Sequence, residues 1–258
     1  MKVLSRRSFS CIAAAFVALA APAACGRPER PVGLTDILDR NAEARGGKAA
    51  IEAIASIRIE VTVTEPDFSV RGQYVATRDG DVRVDIFDGE TRVFTEALGA
   101  DVGWQMFGDG TVAEMSEDGR NALRRGLIGN LYGLHEREGL GHRLDWLGLN
   151  DAPGGLRHVI VETEPSGFRK IHYIDPESFL VVATSEISAL HPDRDATQTE
   201  QTTYAKGFAE VAGVTFETGS IKKDSASGNI IQETTVQSRE VNVAVGPEFF
   251  ARPASSDD

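Results

Sequence analysis

The chain has 258 residues, with 27 Lys and Arg against 39 Asp and Glu, a formal net charge of −12. So acidic a composition repels phosphate backbones and anionic lipid headgroups, which argues against nucleic-acid binding and against membrane contact through a polybasic patch. The length suits one domain with a sizeable core, and two cysteines cannot supply a disulfide framework.

Residues 1–24 read as an export signal. Ser5-Arg6-Arg7-Ser8-Phe9 sets an arginine pair before an apolar stretch from Cys11 to Ala21, and Ala21-Pro22-Ala23-Ala24 follows. The stretch is shorter than the roughly 20 apolar residues that a bilayer span needs, so the segment is expected to be removed. Arg6, Arg7 and Phe9 match the twin-arginine export pattern, under which a protein folds before it crosses; the alternative is an ordinary secretory signal. Ala23-Ala24-Cys25 makes Cys25 a candidate lipidation residue, although Pro22 stands where Leu is usual, and the rival is plain cleavage nearby. Because the segment carries three basic and no acidic residues, its loss takes the net charge from −12 to −15. The expected location is the periplasm, with any membrane association made only through a lipid on Cys25.

Residues 25–33 are Pro/Gly-rich and charged and read as a tether. A helix capped by Thr35 follows, with Leu34, Ile37, Leu38 and Ala42 at helical spacing and Gly46-Gly47 as its stop. A second short helix carries Ala50, Ile51 and Ile54. From Ser56 the period falls to two: Ile57, Ile59, Val61 and Val63 alternate with polar residues, as do Val82, Val84 and Ile86. Asp79-Gly80, Asp88-Gly89 and Asp109-Gly110 are hairpin turns, so 56–115 is predicted to be an antiparallel meander. Between Ser116 and Leu149 helical spacing returns at Leu123, Leu127, Ile128 and Leu131, with a short edge strand expected at 143–146. Strands resume over 156–162, 168–174, 180–190, 198–206, 215–222 and 230–236, and an acidic tail occupies 254–258. The fold class is therefore mainly β: one long antiparallel sheet in residues 34–253 that must curl, either into a closed barrel or into a half-open one whose concave face the helices are available to cover.

No catalytic signature emerges. The sequence has no Gly-x-Ser-x-Gly elbow, no His-Glu-x-x-His helix and no cysteine pair for zinc. His135-Glu136 has Gly139 where a second zinc-binding His belongs, so a solvated helix face is the better reading. Asp79, Asp81, Asp85 and Asp88 fit turns and the wet face of a strand, and His158 and His172 stand alone in strands. No catalytic residue, metal or cofactor is assigned, and the chain is read as a non-enzyme. Trp104, Phe107, Leu127, Leu131, Tyr132 and Phe179 are the candidates for lining a ligand cavity, with ordinary core packing as the alternative for each.

Several short segments resemble the outer-membrane lipoprotein-sorting superfamily, relatives of the periplasmic lipoprotein carrier. They are Ile37-Leu38 through Gly46-Gly47-Lys48 to Ile54-Ala55-Ser56-Ile57, the hairpin Tyr173-Ile174-Asp175-Pro176-Glu177-Ser178-Phe179-Leu180, Val211-Ala212-Gly213-Val214 after Tyr204, and Val241-Asn242-Val243 with Phe249-Phe250 and Pro253. Phe216 departs from the pattern, which often has Pro there, and 116–150 has no counterpart in it. The resemblance implies an incomplete barrel lidded by helices over a hydrophobic cavity that shelters lipid or lipoprotein acyl chains. Burying about 14 methylenes at roughly 0.8 kcal/mol each would supply ample affinity, leaving release to motion of 116–140. The alternative is an envelope sensor or scaffold that binds a protein partner on the same fold.

Overall fold

The computed structural model describes residues 32–99 and 102–253; Arg6, Arg7, Phe9, Cys25, most of the tether and the acidic tail lie outside the described residues. α1 (Leu34–Ala44) is capped by Gly33 rather than Thr35: the Asp36 carboxylate accepts the Gly33 N–H at 3.0 Å and closes the first turn by itself. It stops at Gly46 and Gly47, both at positive φ. A Cβ on Gly46 would overlap the Gly213 carbonyl, and the Thr215 N–H donates to the Arg45 carbonyl at 2.9 Å. Two glycine motifs far apart in the chain thus meet in one close backbone contact.

After α2 (Lys48–Glu52) come β1 (Ser56–Glu65), β2 (Phe68–Thr77), β3 (Val82–Asp88), β4 (Thr91–Gly99), β5 (Val102–Phe107) and β6 (Val112–Glu114). α3 (Glu117–Leu131) and a 3-10 turn (Leu134–Leu140) separate these from β7 (Arg143–Ala152), β8 (Gly155–Thr163), β9 (Arg169–Ile174), β10 (Val181–Ser188) and β11 (Thr199–Ala205). The chain ends with β12 (Phe208–Val211), β13 (Val214–Glu217), β14 (Gly219–Asp224), β15 (Ile230–Val241) and a 3-10 turn (Pro247–Phe249). Gly80, Gly89 and Gly110 take the positive φ that their hairpins need.

Thirteen strands form one antiparallel sheet in the order β6-β5-β4-β3-β2-β1-β15-β14-β11-β10-β9-β8-β7, and β12-β13 form a separate ribbon. β1 pairs with β15, so the first and last strands join in the middle of the sheet, while β6 and β7 remain as edges of an incomplete barrel. Two strand expectations change. The single strand at 215–222 is two, because Gly219 at φ 155° turns the chain from the ribbon into the main sheet. The short edge strand at 143–146 continues to Ala152 across an irregularity at Trp146/Gly148.

Strand register assigns the faces. Ile57, Ile59 and Val61 of β1, Tyr74 and Ala76 of β2, Val82 and Val84 of β3 and Leu98 of β4 form one inward row. Leu123, Leu127 and Leu131, spaced by four on α3, pack against that row together with Ile51 and Ile54. α1 covers the far end of the same face, where Ile37 and Leu38 meet Leu134, Leu144, Ile160 and Ile174. Arg78 bolts the cover down: its guanidinium donates to the carbonyls of Ile51 (2.9 Å), Ile54 (2.7 Å) and Leu131 (2.7 Å) and to Glu136 Oε1 (2.6 Å). Glu136 is therefore committed rather than solvated.

The outer face of β3 to β5 is covered by the C-terminal segment. Phe250 is 1% exposed, and its carbonyl accepts the Trp104 indole N–H at 2.9 Å. Arg83 donates to the Phe249 carbonyl and, at 2.8 Å, to Asp85 Oδ2, while Thr95 donates to Asp85 Oδ1 at 2.6 Å. Asp85, expected on a wet face, is buried because the chain end folds back over it.

Candidate functional site

The inward row changes chemistry beyond the β1-β15 seam. There it reads Arg239 on β15, Ser220 and Lys222 on β14, Gln201 and Thr203 on β11, Thr184 and Glu186 on β10, Lys170 and His172 on β9, and Glu162 on β8. Between this wall, α1 and α3 lies a cavity of about 460 Å³, within the roughly 300–1,000 Å³ of small-molecule sites. α3 turns Ala122, Gly126 and Gly129 toward it, and a Cβ on either glycine would meet no atom within 4 Å. Leu180, Val181, Leu190 and Phe208 add apolar side chains to the lining.

Charge dominates the rest of the lining. Its cations are Arg45, Arg125, Arg137, Lys170, Lys222 and Arg239. Its carboxylates are Glu162, Glu164, Glu186 and Glu217, two fewer. The wall is thus mixed and cationic in balance inside an acidic protein, not the uniformly apolar one that the family resemblance implied.

Glu162 organises the deepest part. Its two oxygens lie 2.6 Å from His142 Nδ1 and 2.6 Å from His172 Nε2, and Arg137 stands 3.5 Å from the first of them. Burial alone would raise the carboxyl, but the hydrogen bond from His172, the charge of Arg137 and the bond from His142 hold it well below the usual range. A carboxylate only accepts, so both imidazoles donate to it. Burial pulls His172 down despite its bond to Glu162, which keeps that ring neutral at neutral pH. Both oxygens of the carboxylate are occupied, and among the described residues no hydroxyl or thiol is hydrogen-bonded to either ring. The network is built to hold shape; it presents neither an activated nucleophile nor a free base.

Lys170 pairs with Glu186 at 2.8 Å. Burial lowers the Lys222 ammonium, with Glu186 opposing and Lys170 adding to the shift. At one end of the cavity Phe216 lies between two guanidiniums, with the Cζ of Arg45 5.9 Å and that of Arg239 4.5 Å from its ring centre. Loop 189–198 supplies Leu190 and is tied down by Asp193, which accepts the Ser116 N–H at 2.7 Å and Gln105 Nε2 at 2.9 Å. Beside it, burial and the Asp193 charge push the Glu96 carboxyl up to about 7.

The six cavity candidates are dispersed. Tyr132 is on the cavity wall, with its hydroxyl donating to the Arg78 carbonyl at 3.1 Å. Leu127 and Leu131 lie on the other side of α3, in the core beneath it. Trp104 is on the outer sheet face under Phe250. Phe107, 43% exposed, packs against Phe94 near the β5 end. Phe179, at φ 56°, stacks on His158, and its carbonyl accepts from buried Asn41 at 2.7 Å. The lining cations were not singled out from sequence. Their signal was there: β10, β11, β14 and β15 carry polar residues at both parities, the pattern of strands wetted on each side.

No protein-family model matches the sequence, and no curated protein matches it. Solved structures do. A LolA superfamily protein from Nitrosomonas europaea is 13% identical and aligns with a TM-score of 0.57 over 86% of this chain and 98% of its own. A DUF1329 family protein from Desulfovibrio piger gives 11%, 0.56, 84% and 96% for the same quantities, and a domain assigned to outer membrane lipoprotein sorting from Vibrio parahaemolyticus gives 13%, 0.51, 83% and 95%. A half-open antiparallel sheet with β1 joined to β15, helices across its concave face and these alignments over nearly the whole of each solved chain together give this protein the fold of the LolA-like superfamily.

Proposed function

We propose that this protein is an exported, non-enzymatic binding protein of the periplasm that shelters an amphiphilic lipid-type ligand in its cavity. The supporting observation is the 460 Å³ hollow whose lining combines apolar side chains with charged groups. An acyl chain lies against Leu180, Val181, Leu190 and Phe208, and its polar end is met by charged side chains instead of being stranded in hydrocarbon. α3 is held through Arg78 and Asp193, which argues against ligand exchange by lifting that helix. Export by the twin-arginine route through Arg6, Arg7 and Phe9, and anchoring through Cys25, complete the reading. Native mass spectrometry of protein taken from the cell envelope, with titration of the delipidated protein by a fluorescent fatty acid, tests it: a copurifying lipid and saturable binding are expected, and the absence of both overturns it.

A second reading, an envelope scaffold that binds a protein partner, has its own observation. Leu147, Leu149 and Leu156 are 45–60% exposed together beside the open β7 edge, an apolar strand edge of the kind that partners augment.

A further inference from the structure

A ligand made only of hydrocarbon gives no reason for the charges at the Phe216 end of the cavity. Among the described residues Arg45 reaches one acceptor, the Thr215 carbonyl, from Nε at a long 3.5 Å. Arg239 spends one nitrogen on the Glu217 carbonyl at 2.8 Å, and its buried Nε has no acceptor among the described residues. Burial and the neighbouring Arg137 charge bring Arg45 down to about 10. Burial likewise lowers Arg239 to about 10 against the pull of Glu217. Burial raises the Glu217 carboxyl although Arg239 and Arg45 pull it down, so this carboxylate compensates the two guanidiniums only in part. Arg137 stands behind and is engaged by Glu162 at 3.5 Å. Two half-buried guanidiniums sharing one aromatic ring and one partly desolvated carboxylate are a standing cost to the fold, and binding sites are where proteins tolerate such costs.

We propose that Arg45 and Arg239 form a binding site for an oxyanion, the carboxylate or phosphate head of an amphiphile, with Phe216 packed against the ligand's first carbons. The site rests on the reading of the cavity as a ligand-binding one. A planar guanidinium offers paired N–H donors that match two oxygens of such a head, and two guanidiniums around a ring set its position. Since the protein as a whole repels anions, recognition comes from these two side chains at short range rather than from a general field.

The test measures displacement of a neutral fluorescent probe from the delipidated protein by dodecanoic acid, dodecyl phosphate, 1-dodecanol and inorganic phosphate at pH 8. The acid and the alkyl phosphate are expected to bind at least about tenfold more tightly than the alcohol. In R45Q/R239Q that preference falls to about one while alcohol binding is unchanged, and R45K/R239K keeps part of it. Equal affinity of acid and alcohol in the unmodified protein overturns the oxyanion site, and so does a preference that survives R45Q/R239Q. The unmodified protein alone decides the first point if the variants do not fold. Inorganic phosphate matching dodecyl phosphate would make the anion a free one and overturn the amphiphile. Silence of the acid, the alkyl phosphate and the alcohol alike would instead overturn the cavity reading.

Discussion

The two halves of the concave face are built from the same antiparallel sheet and covered by the same helices, yet one is solid and the other hollow. Over β1 to β4 the inward row is aliphatic, and α3 collapses onto it through Leu123, Leu127 and Leu131. Over β8 to β11, β14 and β15 the row is Glu162, His172, Lys170, Glu186, Lys222 and Arg239, and the same helix leaves a gap, with two glycines on its facing side. Apolar side chains gain by closing until no space remains, whereas charged groups lose hydration on closure and recover it only where a partner is in reach. The hollow follows from the chemistry of its wall, and α3 is the boundary between the two regimes.

Breaking the polar half at its best-paired point has the largest expected effect. Glu162→Gln leaves Arg137 buried beside a neutral amide and forces one imidazole to change its tautomer, so the variant should lose about 3–5 kcal/mol in urea denaturation. The pH profile sharpens this. His172 is held below its ordinary value of 6.5, so the stability it contributes is whole above that pH and falls away as acid charges a ring buried as neutral. Glu162, also depressed, contributes fully above about 4.5 and loses its share below it. Unmodified protein should weaken in both windows on acidification, and Glu162→Gln should lack the lower one.

On the apolar half, Leu127→Ala should cost about 2–4 kcal/mol in the same assay, since its neighbours are already packed and a void remains. One residue earlier, turned about 100° around the helix and onto the cavity wall, the sign should reverse. Gly126→Ala adds a methyl group to open space and removes helix-interior glycine entropy, for a gain of about 0.5–1 kcal/mol read as a small rise in Tm. If Leu127→Ala and Gly126→Ala moved stability in the same direction, the division of α3 into a packed face and a cavity face would be wrong.

Much of the architecture was legible because it follows from local rules. Period-two runs, Asp-Gly turns and the leucine spacing of α3 each act over a few residues, and they yield the meander, the inserted helix and the long sheet. Asp85 was misjudged because its outward parity was plain, but what covers the outer face is Phe249-Phe250, far away in the chain, and the same cover accepts the Trp104 indole N–H. The cavity residues were hidden differently. Arg45 ends a helix, Arg137 sits in a 3-10 turn and Arg239 is in the last strand, and no local pattern links them.

By itself, then, the sequence determined the secondary structure, the class of fold and the acidic balance of the chain, because propensity, periodicity and net charge are properties of neighbours and sums. Only the tertiary structure decided that β1 closes against β15, that Gly46 seats on Gly213, and that cations from α1, the 3-10 turn and β15 gather at one cavity. Those are contacts between distant segments, and their energy depends on burial and on the nearest opposite charge, neither of which exists until the sheet has curled.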